Sequence, residues 1–342
     1  MWIQILAPVL VLTAIVLGLA GFVLLARSWL EPRGLVEIDV NGERRLEVNA
    51  GNQLLWALAE HAIYLPAACG GRGTCGQCRV TVRSGGGSAL PTEAAHISSA
   101  DAEAGMRLAC MVKVREALRI EVPRETLAVR RWVCRVVSNR NVATYLKELT
   151  LRLPEPERLA FTAGDYVLLE APPHRLRFKD FDIDEPYREN WAASGLRELE
   201  SATREPAVRA YSLANPPQED DRAVLVVRIA PPPASAPAAP PGRVSSYIFG
   251  CKPGDEVSIS GPFGEFHVAD GEGEIVFIAG GAGIAPIRSM ILDQLVRDSA
   301  RKMTFWYGCR DVQDLCYYAE LGALAEKHAR FEFHVALSSP RP

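Results

Sequence analysis

The sequence predicts a multidomain chain: one membrane-spanning helix, a small α+β domain, an antiparallel β-barrel-like domain and an incomplete α/β doubly wound domain. Three observations predict it. Residues 3–26 contain no charge. Cysteines crowd into Cys69-Gly-Gly-Arg-Gly-Thr-Cys75-Gly-Gln-Cys78, with Cys110 standing 32 residues later. From residue 274 an apolar strand, a glycine-rich turn and an amphipathic helix follow one another, the alternation that builds α/β sheets. The 342 residues leave room for about two or three domains. A net charge of −3 excludes the basic balance of a nucleic-acid binder. Eight cysteines in so long a chain fit a reducing compartment rather than a secreted disulfide framework.

The uncharged stretch 3–26 makes about 36 Å of helix, enough to cross a hydrocarbon core of about 30 Å. Trp2 suits the interface at one end, and Arg27 and Arg33 follow the other. The positive-inside tendency puts the N-terminus outside and the rest in the cytoplasm. A cleaved signal peptide would carry a basic start and a shorter apolar run, and both are missing. The expectation is an anchor over 1–26 and a linker over 27–34.

Residues 35–40 and 45–48 alternate as strands about Asn41-Gly42, a hairpin signal. Residues 52–63 then read as a helix with Leu54, Leu55, Leu58 and Ala62 on one face. The cysteine loop follows, and 78–82 and 118–122 read as further strands. Four thiolates ligate a two-iron, two-sulfur cluster, so Cys69, Cys75, Cys78 and Cys110 are the candidate metal ligands. Glycines let backbone N–H groups approach the cluster sulfurs. A structural zinc site would show two close-spaced Cys or His pairs, and only one Cys-x-x-Cys is present. Cys134, Cys251, Cys309 and Cys316 share no metal spacing and read as small buried residues.

From Arg130 the chain is β-rich, with strands over 133–137, 146–151 and 166–169. Residues 178–204 are acidic and aromatic without periodicity and read as a long insertion. Arg209-Ala-Tyr211-Ser212 follows. Residues 225–229 alternate, and the Pro/Ala run 231–241 reads as an extended loop or a linker. Gly242-Arg-Val244-Ser245-Ser246 opens a short helix, and 257–264 close the barrel-like region. A guanidinium holds a diphosphate in bidentate fashion, and a helix N-terminus receives one. Alternation puts Arg209 and Tyr211 on one face, while Ser212 requires the strand to end or twist there. An edge strand and a Ser N-cap are the plain alternatives.

The apolar strand 274–279 reads as buried on both faces. Gly280-Gly281-Ala-Gly283-Ile-Ala-Pro286 follows, then a helix with Ile287, Met290, Ile291 and Leu295 on one face. Pro286 stands where the dinucleotide fingerprint has its third glycine, and Pro is comfortable in a first helical turn. Residues 303–307 form a strand, and Tyr307-Gly308-Cys309-Arg310 would border the adenosine side. Arg310 could meet a 2′-phosphate or face solvent. A helix-strand unit over 321–337 completes the alternation.

Taken together, these motifs resemble a known family. The cysteine loop looks like that of ferredoxins, with five residues between the first two ligands as in the F subunits of the sodium-translocating NADH:quinone reductases. Arg209-x-Tyr211-Ser212, Gly242-x-x-Ser245 and Gly281-x-Gly283-x-x-Pro286 resemble the flavin and nucleotide motifs of the ferredoxin–NADP reductase superfamily. The resemblance covers essentially the whole chain. It implies a β-grasp ferredoxin domain over 35–125, an FAD barrel over 126–272 and an NADH domain over 273–342. It also implies Arg209, Tyr211, Ser212, Gly242, Val244, Ser245 and Ser246 at FAD, with Tyr211 and Ser212 catalytic, and Gly280, Gly281, Gly283, Pro286, Tyr307, Gly308 and Arg310 at NADH. The implied path runs from NADH through FAD to the 2Fe-2S cluster. Other membrane subunits then reduce quinone, and the whole complex exports sodium from a bacterial inner membrane. The alternative is an anchored reductase supplying an oxygenase. The resemblance further implies a nucleotide domain continuing past Pro342. About 68 residues follow Glu274, few for such a domain, so a catalytically impaired electron carrier is another alternative.

Overall fold

The computed structural model describes residues 2–30 and 34–340. Helix α1 (Trp2–Leu30) is 29 residues long, so the helix runs on through the first residues of the expected linker. Its described side chains, 10–23 and 25, are exposed or nearly so, including Leu10, Val16, Phe22 and Leu25. Among the described residues, no helix is long and apolar enough to cross a membrane. The side chains of Trp2 and Arg27, and all of Arg33, lie outside the described residues. The chain divides into two compact units, one of residues 1–65 and 71–127, the other of residues 66–70 and 128–342.

In the first unit, β1 (Leu35–Val40), β2 (Arg44–Asn49), β3 (Arg79–Ser84), β4 (Met106–Leu108) and β5 (Leu118–Glu121) form one sheet of order β2-β1-β5-β3-β4. β1 and β5 are parallel, and the other pairs are antiparallel. Ile38 faces Leu46 on one side and Leu118 on the other, and all three are buried. Asn41 and Gly42 both take positive φ, 57° and 69°, the geometry a tight hairpin demands. The Asn41 amide also exchanges hydrogen bonds with the backbone of Val122, at 2.8 and 3.1 Å, tying the turn to the end of β5. Helix α2 (Leu54–Glu60) buries Leu54, Leu55, Ala57 and Leu58. It is shorter than the periodicity suggests: Ala62 turns left-handed at φ 61°, and it is exposed rather than on the packed face. Helix α3 (Ser99–Glu103), helix α4 (Arg124–Leu127) and β4 carry no legible signal, being a single turn or three residues long.

Beneath β4 lies a buried ion pair. Arg107 donates to both oxygens of Glu93 at 2.8–3.1 Å and to the carbonyls of Gly86 and Gly87. Glu93 accepts in turn from the N–H groups of Leu90 and Leu108. Burial would raise the Glu93 carboxyl. The Arg107 hydrogen bonds and the two backbone donors outweigh it and hold the carboxyl below its usual range.

In the second unit, β6 (Arg130–Ala143), β7 (Leu146–Arg152) and β8 (Tyr166–Ala171) come first. β9 (His174–Arg177) pairs only with β10 (Glu200–Thr203), as a ribbon around helix α5 (Glu185–Ala193). β11 (Ala207–Ser212), β12 (Arg222–Arg228), helix α6 (Arg243–Gly250) and β13 (Glu256–Phe263) follow. The main sheet has order β11-β8-β13-β6-β7-β12, and a bridge between Leu213 and Leu225 links its two ends. This is a closed antiparallel barrel, as expected. The long insertion over 178–204 contributes to the core. Trp191 of α5 is fully buried among Phe178, Phe181 and Phe249, and its indole N–H donates to the Thr144 carbonyl at 2.6 Å. Large aromatic area compensates for the missing helical periodicity.

β14 (Ile275–Gly280), α7 (Ile284–Val296), β15 (Met303–Cys309), α8 (Tyr318–Lys327) and β16 (Phe331–Leu337) form a parallel sheet of order β14-β15-β16. The strand order runs one way, so both helices pack on one face, against Ile275, Phe277, Phe305 and Phe331. On the other face Val276 is 57 % exposed, Ile278 77 % and Trp306 46 %. β14 is therefore buried on one side only.

Candidate functional sites

Residues 64–78 carry no helix or strand. Four glycines of this loop take left-handed backbone, and two show why only glycine fits. A Cβ on Gly73 would stand 2.8 Å from the Met111 sulfur, and one on Gly76 2.8 Å from the His96 ring. The pairing of Arg79 with Leu108, and the Ala109 N–H donating to the Cys78 carbonyl at 2.8 Å, bring Cys78 beside Cys110. Both are buried, as is Cys69, while Cys75 is half-buried. A hydrogen bond with the Cys110 thiol, then burial, then the nearness of Cys110 and Cys75 push the Cys78 thiol far up. Among the described residues, no group of three or more His, Cys, Asp and Glu side chains stands ready to hold a metal ion. The donor set nonetheless suits iron. Thiols forced together raise one another's pKa, and a cation is what lets them ionise together.

The flavin candidates lie on β11, the strand at one end of the barrel sheet. Arg209 sits opposite Leu169, Tyr211 opposite Val167 and Ser212 opposite Tyr166. Arg209 and Tyr211 share a face, and Ser212, the last residue of the strand, is still paired with Tyr166. Tyr211 packs against the barrel core, and burial pushes its phenol up. The Arg209 guanidinium donates to the Val208 carbonyl at 2.6 Å. Helix α6 begins at Arg243 with Gly242 as its cap, and no side chain caps it. The Ser245 and Ser246 hydroxyls bond within the chain, and neither caps the helix. Ser245 Oγ donates to the Gly242 carbonyl at 3.1 Å and accepts from the Ala230 N–H, and Ser246 Oγ donates to the same carbonyl at 2.7 Å. With Val244 they are buried. Their role is to pin the two ends of the Pro/Ala loop together. What remains open to a ligand is the first-turn backbone N–H set.

The nucleotide candidates meet in a cleft of about 610 Å³. Gly280, Gly281, Gly308 and Arg310 line it, as do Tyr145, Leu146, Arg228, Cys309, Asp314 and the end of β16. Gly283 is exposed and Pro286 half-buried in the first turn of α7, and neither lines the cleft. Tyr307 is fully buried, and its hydroxyl donates to the Gly281 carbonyl at 3.1 Å. It shapes the glycine turn from behind rather than touching a ligand. Cys309 departs from the expected buried thiol: it is half-exposed in the cleft, with Sγ donating to the Asp314 carbonyl. Arg228 is the residue that motif reading missed. Period-two alternation along β12 places it on the face of Val224 and Val226, and that signal was available in the sequence.

Comparison with known proteins follows the same three modules. A 2Fe-2S iron-sulfur cluster binding domain matches residues 38–115. An oxidoreductase FAD-binding domain matches 197–268, and an oxidoreductase NAD-binding domain matches 277–342. The F subunit of the Na(+)-translocating NADH-quinone reductase of Neisseria meningitidis serogroup C is 51 % identical over 340 residues, covering 99 % of this chain and 84 % of that protein. The corresponding F subunit of Klebsiella pneumoniae is 50 % identical over 342 residues, with the same coverage. Among solved structures, the cytochrome P450 reductase GcoB of Amycolatopsis aligns with TM-score 0.59 and 26 % identity, over 90 % of this chain and 82 % of that one. A ferredoxin reductase of carbazole 1,9a-dioxygenase aligns with TM-score 0.54 and 21 % identity, over 90 % and 80 %, and shares the fold.

Proposed function

The chain belongs to the family of F subunits of Na(+)-translocating NADH-quinone reductases, and from that premise we propose which of its residues hold each cofactor. Its three modules supply an electron path from NADH through FAD to a 2Fe-2S cluster. A hydride donor gives two electrons at once and an iron–sulfur cluster takes one, and a bound flavin supplies the conversion between them.

Cys69, Cys75, Cys78 and Cys110 hold the cluster. The loop glycines bring backbone close to its sulfurs, and such hydrogen bonds tune its potential. Arg209 and the first-turn N–H groups of α6, with Gly242 as cap and Val244, Ser245 and Ser246 in that turn, hold the FAD diphosphate. Tyr211 would offer its ring to the flavin, and Ser212, paired at the end of β11, would offer its hydroxyl. Gly280, Gly281, Gly308 and Arg310 receive the NADH phosphates. Gly283 and Pro286 set the turn into α7, and Tyr307 braces it. Domain boundaries at 35–125, 126–272 and 273–342 accompany this reading.

Helix α1 anchors the chain to the bacterial inner membrane in a single pass with its N-terminus outside. The support is its length of 29 residues, about 43 Å, and a sequence without charge from residue 3 to 26. The partners are the other subunits of a membrane complex that reduces quinone and exports sodium, as the relatives' name states.

The observation that carries the reading is the cleft, where four of the glycine-motif and strand-end residues expected at NADH converge. The test is the visible spectrum of the purified protein under anaerobic conditions, before and after NADH. Flavin and cluster absorption that bleach on addition support it. A protein that binds both cofactors yet stays oxidised with NADH, while dithionite reduces it, refutes the assigned nucleotide site.

A further inference from the structure

We propose that Arg79, the residue after the candidate ligand Cys78, is a positioning residue whose guanidinium clasps the Cys75–Cys78 turn and raises the reduction potential of the cluster held there. The inference rests on the reading that Cys69, Cys75, Cys78 and Cys110 hold a 2Fe-2S cluster. Its first support is hydrogen bonding. Arg79 Nε donates to the Gly76 carbonyl at 3.0 Å, and Nη2 donates to the His96 carbonyl at 2.8 Å. One planar fork thus joins the turn to the segment that carries His96. Gly76 is buried, takes φ 68° and has no room for a Cβ beside the His96 ring. A trans peptide points its C=O and N–H in opposite directions. With the Gly76 carbonyl turned to Arg79, the Gln77 N–H points to the other side of the turn. The direction of loop N–H groups relative to cluster sulfurs is one lever on potential.

The backbone of Arg79 is fixed as firmly as its side chain. It pairs with Leu108 in the β3–β4 ladder, and its N–H donates to the Gln77 carbonyl at 2.7 Å. The Cys78 carbonyl, one residue before it, accepts from the Ala109 N–H at 2.8 Å. Arg79 is therefore rooted where Cys78 and Cys110 meet, and its side chain reaches back over the turn between Cys75 and Cys78.

Charge gives an independent support. Arg107, close before Cys110 in the chain, is neutralised by Glu93. Arg83, further along β3, donates to both oxygens of Glu121 at 2.9 and 2.7 Å. Arg79 donates to two carbonyls, and among the described residues it forms no ion pair. Its positive charge is uncompensated. Reduction adds a negative charge at the cluster, so a fixed cation beside a ligand favours the reduced form. Arg79 is exposed, so water and salt screen the charge and the shift is modest.

The test is an anaerobic redox titration of the holoprotein, read by the EPR signal of the reduced cluster, with iron and FAD content measured alongside. At the parent's midpoint, Arg79→Gln should lower the ratio of reduced to oxidised cluster about fivefold, with iron and FAD content unchanged. Arg79→Lys keeps the charge but cannot span both carbonyls, and it should recover part of the shift. Arg83→Gln should leave the midpoint in place. A parental midpoint in Arg79→Gln overturns the proposal. If Arg79→Gln holds no cluster, Arg79→Lys decides: a midpoint below the parent's supports the clasp, and a parental one overturns it. An equal shift from Arg83→Gln would assign the effect to overall charge and would also overturn it. A parent protein without any reduced-cluster signal would remove the ligand reading itself, and the proposal with it.

Discussion

The Tyr307 hydroxyl donates to the Gly281 carbonyl at 3.1 Å, from a side chain with no exposed surface. Burial, with the nearby Cys316 and Cys309 thiols, pushes the phenol far up, so it remains a donor across the physiological range. Tyr307→Phe removes the donor and leaves a carbonyl short of a partner, a loss of about 1–3 kcal/mol. The expected outcome is a higher KM for NADH with unchanged FAD and cluster content. An unchanged KM would show that the turn holds its shape without this bond.

Cys75 is the most exposed of the four candidate ligands, so its replacement disturbs packing least. Cys75→Ala should abolish the visible absorption and the reduced-state EPR signal of the cluster while FAD remains bound. A normal EPR signal in that variant would refute the ligand set.

Arg209→Leu should weaken FAD retention, since a charge-assisted pair contributes about 1.5–3 kcal/mol. Tyr211→Ala should release FAD as well. Ser245→Ala provides a contrast: its hydroxyl bonds to Gly242 and Ala230, so it should lower thermal stability before it lowers FAD content. Unchanged flavin content in both Arg209→Leu and Tyr211→Ala would remove β11 from the site.

The Glu93–Arg107 pair is nearly fully buried, with side chains 1 % and 6 % exposed. Arg107→Ala strands a carboxylate in the core, at a cost of about 3–5 kcal/mol. Because the folded-state pKa of Glu93 is lowered, its contribution is complete above the unfolded carboxyl value of about 4.3 and is lost as pH falls through the folded value. Urea unfolding followed by cluster absorbance, at pH 7 and below pH 4, reads both effects. Glu93→Gln should flatten that acid-side dependence. A variant whose stability fell with acid as steeply as the parent would assign the dependence to other groups.

Deleting residues 1–26 should yield protein that stays in the supernatant without detergent and retains FAD and the cluster. Loss of the cluster on deletion would make α1 part of the fold of the first unit rather than an anchor.

The sequence alone determined whatever depends on neighbours along the chain. Cys69, Cys75, Cys78 and Cys110 stand out by spacing. Asn41-Gly42 announces a hairpin because positive φ is a local property. Gly280 and Gly281 announce a strand-to-helix turn, and Arg209 and Tyr211 share a face because strands have period two. Tertiary structure decided what depends on partners distant in sequence. Ser245 and Ser246 turned inward because the Ala230 N–H and the Gly242 carbonyl come within reach of them. Tyr307 became a brace rather than a ligand contact because β15 lies beside β14, under the turn. Residues 178–204, without periodicity, entered the core through Trp191 and its bond to Thr144. One-way strand order left Val276 and Ile278 exposed, although their strand reads as a buried run. Arg228 joined the glycine motifs only when the closed barrel set the end of β12 beside them. Hydrogen-bond partners and burial are set by chain segments that meet in space, and spacing along a single sequence does not carry that information.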